Sequence, residues 1–300
     1  MILGNTWEFA IVTSVFSLAN GGTAGAIWTT LIVCLGMFLC ILSMAELASM
    51  APTSGGQYHW VSEIAPLKLQ KQLSYAVGWL SALAWQVGMP AVAYIFAQQI
   101  LALISVCNPT YMVQGWHGAL MTIASATVAI LVSVYVLQRL TFVEGLGVVV
   151  HTLGFVAFLA ILWTLGPRAD AYDTFFQFED LNGWNSLGVA SLVGIIGPVS
   201  TFIGGDSAVH LAEELQDASY VLPRAMVMGS TVNYAVGTVA LISFVFNIGP
   251  LDDDSIWIYG GQPYVAVIYR ITGSKAATVI LLIIVAINVG DYNVSNRTYC

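Results

Sequence analysis

The chain is 300 residues long with a formal charge of −8; 8% of its side chains are charged and 58% are apolar. Soluble domains carry about 25% charged residues, so this chain cannot clothe its surface for water, and a lipid bilayer is the solvent that suits it. Basic runs are absent, and Cys34, Cys40, Cys107 and Cys300 show neither metal spacing nor evident pairing, so neither nucleic acid, metal nor cofactor is expected.

In chain order the apolar segments are 2–19, 24–50, 73–106, 116–137, 143–165, 187–209, 225–248 and 275–292. Each approaches the roughly 20 residues needed to cross hydrocarbon. The first lacks a positive lead and is interrupted by Glu8, so it is not a cleavable signal. Residues 20–23 form a tight Asn-Gly-Gly turn, and 51–72 is a long linker holding Pro52, Gly55, Gly56, Pro66, Lys68 and Lys71. Gln86 and Pro90 interrupt the third span. Glu144 falls near the cytoplasmic end of the fifth. His151, deeper in that span, is read as a satisfied interhelical histidine ahead of a proton relay. Linker 166–186 carries Asp170, Asp173, Glu179 and Asp180, and 249–261 carries Asp252, Asp253 and Asp254. Residues 262–272 are predicted as a short helix on the outer face. Both ends meet apolar sequence abruptly, which predicts a piece of a longer membrane protein.

Alternating the spans puts Lys68, Lys71, Arg139, Arg224 and Arg297 on one side, against Arg168, Arg270 and Lys275 on the other. Cytoplasmic loops are enriched in Lys and Arg, so linker 51–72 is placed inside and 166–186 and 249–261 outside. The sequons at Asn293 and Asn296 then lie inside and are discounted. Plasma and vacuolar membranes both suit such a chain.

The sixth span is irregular. It contains Gly194, Gly197, Pro198, Gly204 and Gly205, followed by Asp206. Proline removes a helical hydrogen bond, and paired glycines ease unwinding. A broken helix at membrane depth is tolerated only where protein or a water-filled cavity surrounds it, and such breaks form transporter sites. Asp206 is read as a cap for a restarting helix and, equally, as a proton-coupling candidate. Gly4, Asn5, Thr6, Trp7 and Glu8 form a second polar interruption, either an interfacial start or a broken helix facing the sixth span. The run His210, Glu213 and Glu214, with Asp217 and Arg224, reads as a salt-bridged surface segment rather than a metal site.

Residues 44–66 (MAELASMAPTSGGQYHWVSEIAP) and 200–226 (STFIGGDSAVHLAEELQDASYVLPRAM) resemble two blocks of the amino acid–polyamine–organocation superfamily, of the fungal amino acid, GABA and choline permease type. The turn at 20–22 and the stretch 178–188 fit the same pattern. The resemblance implies an all-α integral membrane protein with an inverted five-helix-repeat transporter fold, of whose ten or more helices about eight are present. It implies a first repeat at 1–165, an outer linker at 166–186 and a partial second repeat at 187–300. It also implies secondary transport of an amino acid or related amine (GABA, choline or a polyamine) by alternating access coupled to protons. The substrate-binding positions would be Asn5, Thr6 and Trp7 from helix one and Phe202, Ile203, Gly204 and Gly205 from helix six. The partners would be that small solute, lipid and protons. Residues 52–56 and 213–224 would belong to the cytoplasmic gate.

Two rival readings stand beside this one. The chain is a truncated fragment that does not transport, or an intramembrane aspartyl protease pairing Tyr172-Asp173 with Gly204-Gly205-Asp206. The second requires two carboxylates in one buried site, and Asp173 falls in a polar linker.

Overall fold

Long apolar runs become helices because hydrocarbon offers backbone groups no other partner. The computed structural model describes residues 5–136, 140–251, 253–259 and 261–295. Gly4, Arg139, Asp252, Asn296, Arg297 and Cys300 lie outside them, as does the side chain of Glu144. The α-helices are α1 (Thr6–Met50), α2 (Gly56–Ile64), α3 (Gln70–Cys107), α4 (Gly115–Val136), α5 (Leu140–Leu165), α6 (Ala171–Phe176), α7 (Leu187–Gly194), α8 (Ile196–Phe202), α9 (Ala218–Val245), α10 (Pro263–Thr272) and α11 (Lys275–Ser295). A short 3₁₀ helix at Val209–Glu214 comes after α8.

Among the described residues six helices are long and apolar enough to cross a membrane. One of them, α1, is two arms bent at Gly22, whose φ of 68° and ψ of −163° leave helical geometry. The arms double back: Thr6 abuts Gly237, and the Phe38 ring lies 6.5 Å from Tyr234, one turn before Gly237 on α9. The expected turn at 20–23 is therefore present. The sixth segment is split into α7 and α8 and supplies the remaining span.

Three expectations need correction. The linker 51–72 contains α2, whose Trp60 is buried with its indole N–H donating to the Ala51 carbonyl at 2.9 Å. The third span runs unbroken through Pro90. The seventh begins at Ala218, not 225, because Pro223 is accommodated near its start, where Ser219, the residue whose carbonyl loses a donor, is exposed. Residues 263–272 form the expected short helix.

At the end where linker 166–186 lies, the Asn20 side-chain carbonyl accepts from the Asn182 amide and the Trp184 indole, both at 2.8 Å. Arg270 donates to the carbonyls of Asn247 and Ile248 at 2.9 and 2.7 Å, just past the end of α9. Lys275 donates to the Cys107 carbonyl at 2.6 Å, at the end of α3. Cations at helix C-termini satisfy open carbonyls and the helix dipole, which gives these two side chains a structural role.

Gly22 combines a left-handed φ with a Cβ position 2.8 Å from the Glu179 amide nitrogen. Gly22→Ala should cost about 1–3 kcal/mol, read as lowered thermal stability in detergent. Gly36→Ala, where a Cβ meets open space, should leave stability unchanged.

Candidate functional site: a cleft at the broken sixth span

Pro198 has no N–H, so the carbonyl four residues earlier, on Gly194, loses its helical donor. The Ser17 hydroxyl of α1 donates to that carbonyl at 2.8 Å. One turn on, the Thr13 hydroxyl lies 3.0 Å from the Gly197 carbonyl and 2.9 Å from the Thr201 hydroxyl. Glycine permits this approach, since a Cβ on Gly197 would sit 2.8 Å from the Thr13 carbonyl. Small residues and cross-helix hydroxyls are the usual means of close helix packing in lipid.

Beyond Phe202 the α-helix stops. Residues 203–208 are non-helical, and Gly204 has a φ of 102°. The last carbonyls of a helix need partners from elsewhere. The Phe202 carbonyl accepts from the Tyr234 hydroxyl at 2.7 Å, and the two rings meet edge to face at 4.7 Å. Gly205 lies directly against Ile41, where a Cβ would clash.

A cleft of about 30 Å³ lies here, lined by Asn5, Thr6, Phe9, Ser200, Thr201, Phe202, Ile203, Tyr234 and Tyr292. Its space suits about one or two water molecules. The start of α1 forms one wall and the end of α8 the other. The α1 start carries amides without intrahelical partners, and its Asn5 side chain donates to the Asn288 carbonyl at 2.8 Å instead of capping them. Four aromatic rings surround the space, with Phe9 and Tyr292 edge to face at 5.2 Å.

The structure brings Asn5, Thr6, Phe202 and Ile203 together in the cleft, with Gly204 beside Tyr292. Trp7 is turned away, buried against Phe158 and Phe155 of α5 with its indole donating to the His151 carbonyl at 3.2 Å. Gly205 packs behind the break rather than lining the cleft. Phe9, Ser200, Thr201, Tyr234 and Tyr292 were not anticipated. Spacing within the first span could have suggested Phe9, one helical turn after Asn5; nothing local marks Tyr234 or Tyr292.

Asp206 does not cap an α-helix, because the chain resumes as the 3₁₀ turn at Val209–Glu214. Its half-buried carboxylate accepts from the Gln57 amide of α2 at 2.9 Å. Beside it the Ser54 hydroxyl donates to Glu213 at 2.5 Å, and His210 Nδ1 lies 3.0 Å from the Ser54 carbonyl. Residues 54–57 thus latch onto 206–213. Arg224 stacks on the Tyr220 ring, 3.7 Å from its centre, in place of the expected salt bridge. Asp173 lies in α6, beside a depression lined by residues within 169–181 and 245–251, while Asp206 bonds Gln57, so the two do not share a protease site.

A multi-helix membrane protein built around a broken sixth span has close relatives in sequence. The amino acid permease family model matches residues 1–293, and the chain belongs to that family. It is 30% identical to a Macrophomina phaseolina protein assigned as an amino acid/polyamine transporter, over 94% of this chain and 64% of that one. It is 29% identical to an uncharacterized amino-acid permease of Schizosaccharomyces pombe, over 91% of this chain and 51% of that one. The swainsonine transporter of Arthroderma benhamiae is also 29% identical, over 86% and 50% respectively. The chain therefore spans half to two-thirds of the length of these relatives, which are permeases and transporters, not enzymes.

Two side chains that satisfy the broken backbone can be tested by removal. Tyr234→Phe and Ser17→Ala each strip the donor from a buried carbonyl, and each should cost about 1–3 kcal/mol. Thermal unfolding in detergent measures this; unchanged stability in both would show that the break does not need them.

Proposed function

We propose that the protein carries an amino acid or related organic amine across a membrane, with the solute bound in the cleft between the start of α1 and the end of α8. The observation that carries this reading is the break itself: two helix ends of opposite polarity meet in one cleft at membrane depth. Amides at the start of α1 suit a carboxylate, and the carbonyl end of α8 suits an ammonium group. The rings of Phe9, Phe202, Tyr234 and Tyr292 provide faces on which an ammonium group can rest. Family membership and relatives named for amino acids, polyamines and swainsonine support a small nitrogenous solute.

Alternating access is the motion that goes with this proposal. The cleft of about 30 Å³ has room for water rather than a whole amino acid, so binding in it would go with opening. The latches Ser54–Glu213 and Gln57–Asp206 would close the inner mouth. The loop carrying Asn182 and Trp184, seated over Asn20, would close the outer one. Residues 1–165 and 187–300 are read as the first and the partial second repeat, moving against each other, with 166–186 between them. Proton coupling belongs to the same proposal; Asp206, whose carboxylate accepts from the Gln57 amide, serves in it at the inner latch.

Uptake by proteoliposomes tests the proposal, using a panel of radiolabelled alanine, GABA, choline and putrescine. At least one should accumulate. Ile203→Trp, which fills the cleft with an indole, should cut that uptake at least tenfold while the purified variant stays folded. Unaltered uptake in Ile203→Trp would remove the cleft from the account.

A further inference from the structure

A second polar cluster lies inside the bundle, on the far side of α1 from the cleft. Glu8, in the first turn of α1, is wholly buried, and its two carboxylate oxygens lie 2.9 and 3.1 Å from Nδ1 of His151 on α5. The neighbouring Trp7 indole donates to the backbone carbonyl of the same histidine. The Asn288 backbone carbonyl of α11 accepts from the Asn5 side chain, three residues before Glu8. Helices α1, α5 and α11 therefore meet around one acid. Helices packed on α1 carry other ionisable groups: Lys275, Asp291 and Tyr292 on α11, Tyr220, Arg224 and Tyr234 on α9, Tyr264, Tyr269 and Arg270 on α10, and Tyr172 and Asp173 on α6; α7 and α8 carry none.

An acid at membrane depth is expensive and is retained where it works or is paired. Holding three helices together needs only neutral hydrogen bonds, which spare the cost of desolvating charge. A carboxylate beside an imidazole is instead a pair able to take up and release a proton. It also lies within the turn that forms the cleft wall, two residues past Thr6 and next to Phe9. A change of charge on Glu8 acts directly on the amides that face the solute.

We propose that Glu8 and His151 together hold the proton that crosses with the solute, leaving Asp206 as the latch at the inner mouth. This rests on the transport reading above. The proton is taken from water on the entry side, stays on the pair while the cleft is closed, and passes to water on the exit side; no bond in the solute is made or broken.

The test uses purified protein in proteoliposomes containing a pH-sensitive dye, with whichever of alanine, GABA, choline or putrescine the wild type takes up. Counterflow exchange of the same solute is measured in parallel. Glu8→Gln should reduce solute-driven proton flux at least tenfold while slowing exchange no more than a few fold, and Glu8→Asp should restore part of the flux. His151→Gln, an independent variant should Glu8→Gln not fold, should shift the pH of half-maximal uptake by at least one unit. Wild-type proton flux in Glu8→Gln, or an unmoved pH profile in His151→Gln, overturns the assignment, as does loss of flux in Asp206→Asn alone. A wild type that moves solute without protons defeats the coupling but leaves transport standing; one that moves none of the four solutes defeats both.

Discussion

Hydrocarbon leaves no backbone carbonyl or amide free to turn to water, and the rest of this molecule is arranged around one place where the helix nonetheless stops. Pro198 withdraws a donor from Gly194, and the chain leaves helical geometry after Phe202. The replacements come from two neighbours: Ser17 on the first arm of α1, and Tyr234 on α9. Each substitutes a side-chain hydroxyl for a main-chain amide, so the break is held by side chains that can move. A helical hydrogen bond could not be released without unwinding its neighbours. This is a physical basis for a segment that is ordered and yet able to change shape.

The same economy places the remaining polar groups. Hydroxyls and glycines line the contact of α1 with α7 and α8, where close approach is needed. Ser54, Gln57, Asp206, His210 and Glu213 gather at the end of the unwound stretch, so the start of α2 and the break are held by one polar cluster. Glu8 and His151 are kept separate from both, behind the cleft wall. A solute in the cleft would thus touch an element whose other side carries a protonatable pair and whose partner helix ends in the latch.

Much of the fold was legible because hydropathy over 20 residues is a strong signal. The turn at Gly22, the break after Phe202 and the short helix before Gly273 were all marked by glycine or proline. The helix at Gly56–Ile64 was hidden behind the paired glycines and flanking prolines of its linker. The direction of Trp7 was not legible, since the first span is apolar on every side and no stripe reveals its buried face. Tyr234 looked like any aromatic in a membrane helix. The partnership of Glu8 with His151 spans 143 positions; Glu8 alone suggested an interfacial start or a broken helix, and His151 a satisfied histidine ahead of a proton relay. Asp206 was read as a cap because an α-helix was expected to resume after it; a 3₁₀ turn resumes instead, and the carboxylate is left for Gln57.

Thiol labelling tests most directly that the break opens to a watery path. Ile203 and Ile32 are exposed to nearly the same degree, 60% and 63%, yet the first borders the cleft and the second lies on an outward face of the second arm of α1. Each is replaced by cysteine in a chain whose Cys34, Cys40, Cys107 and Cys300 are serine, and treated with a charged methanethiosulfonate. Labelling at position 203 at least tenfold faster than at 32 is the predicted result. Equal, negligible labelling at both, with a lipid-soluble maleimide reacting readily at 203, would mean that the end of α8 faces lipid and that no solute passes there.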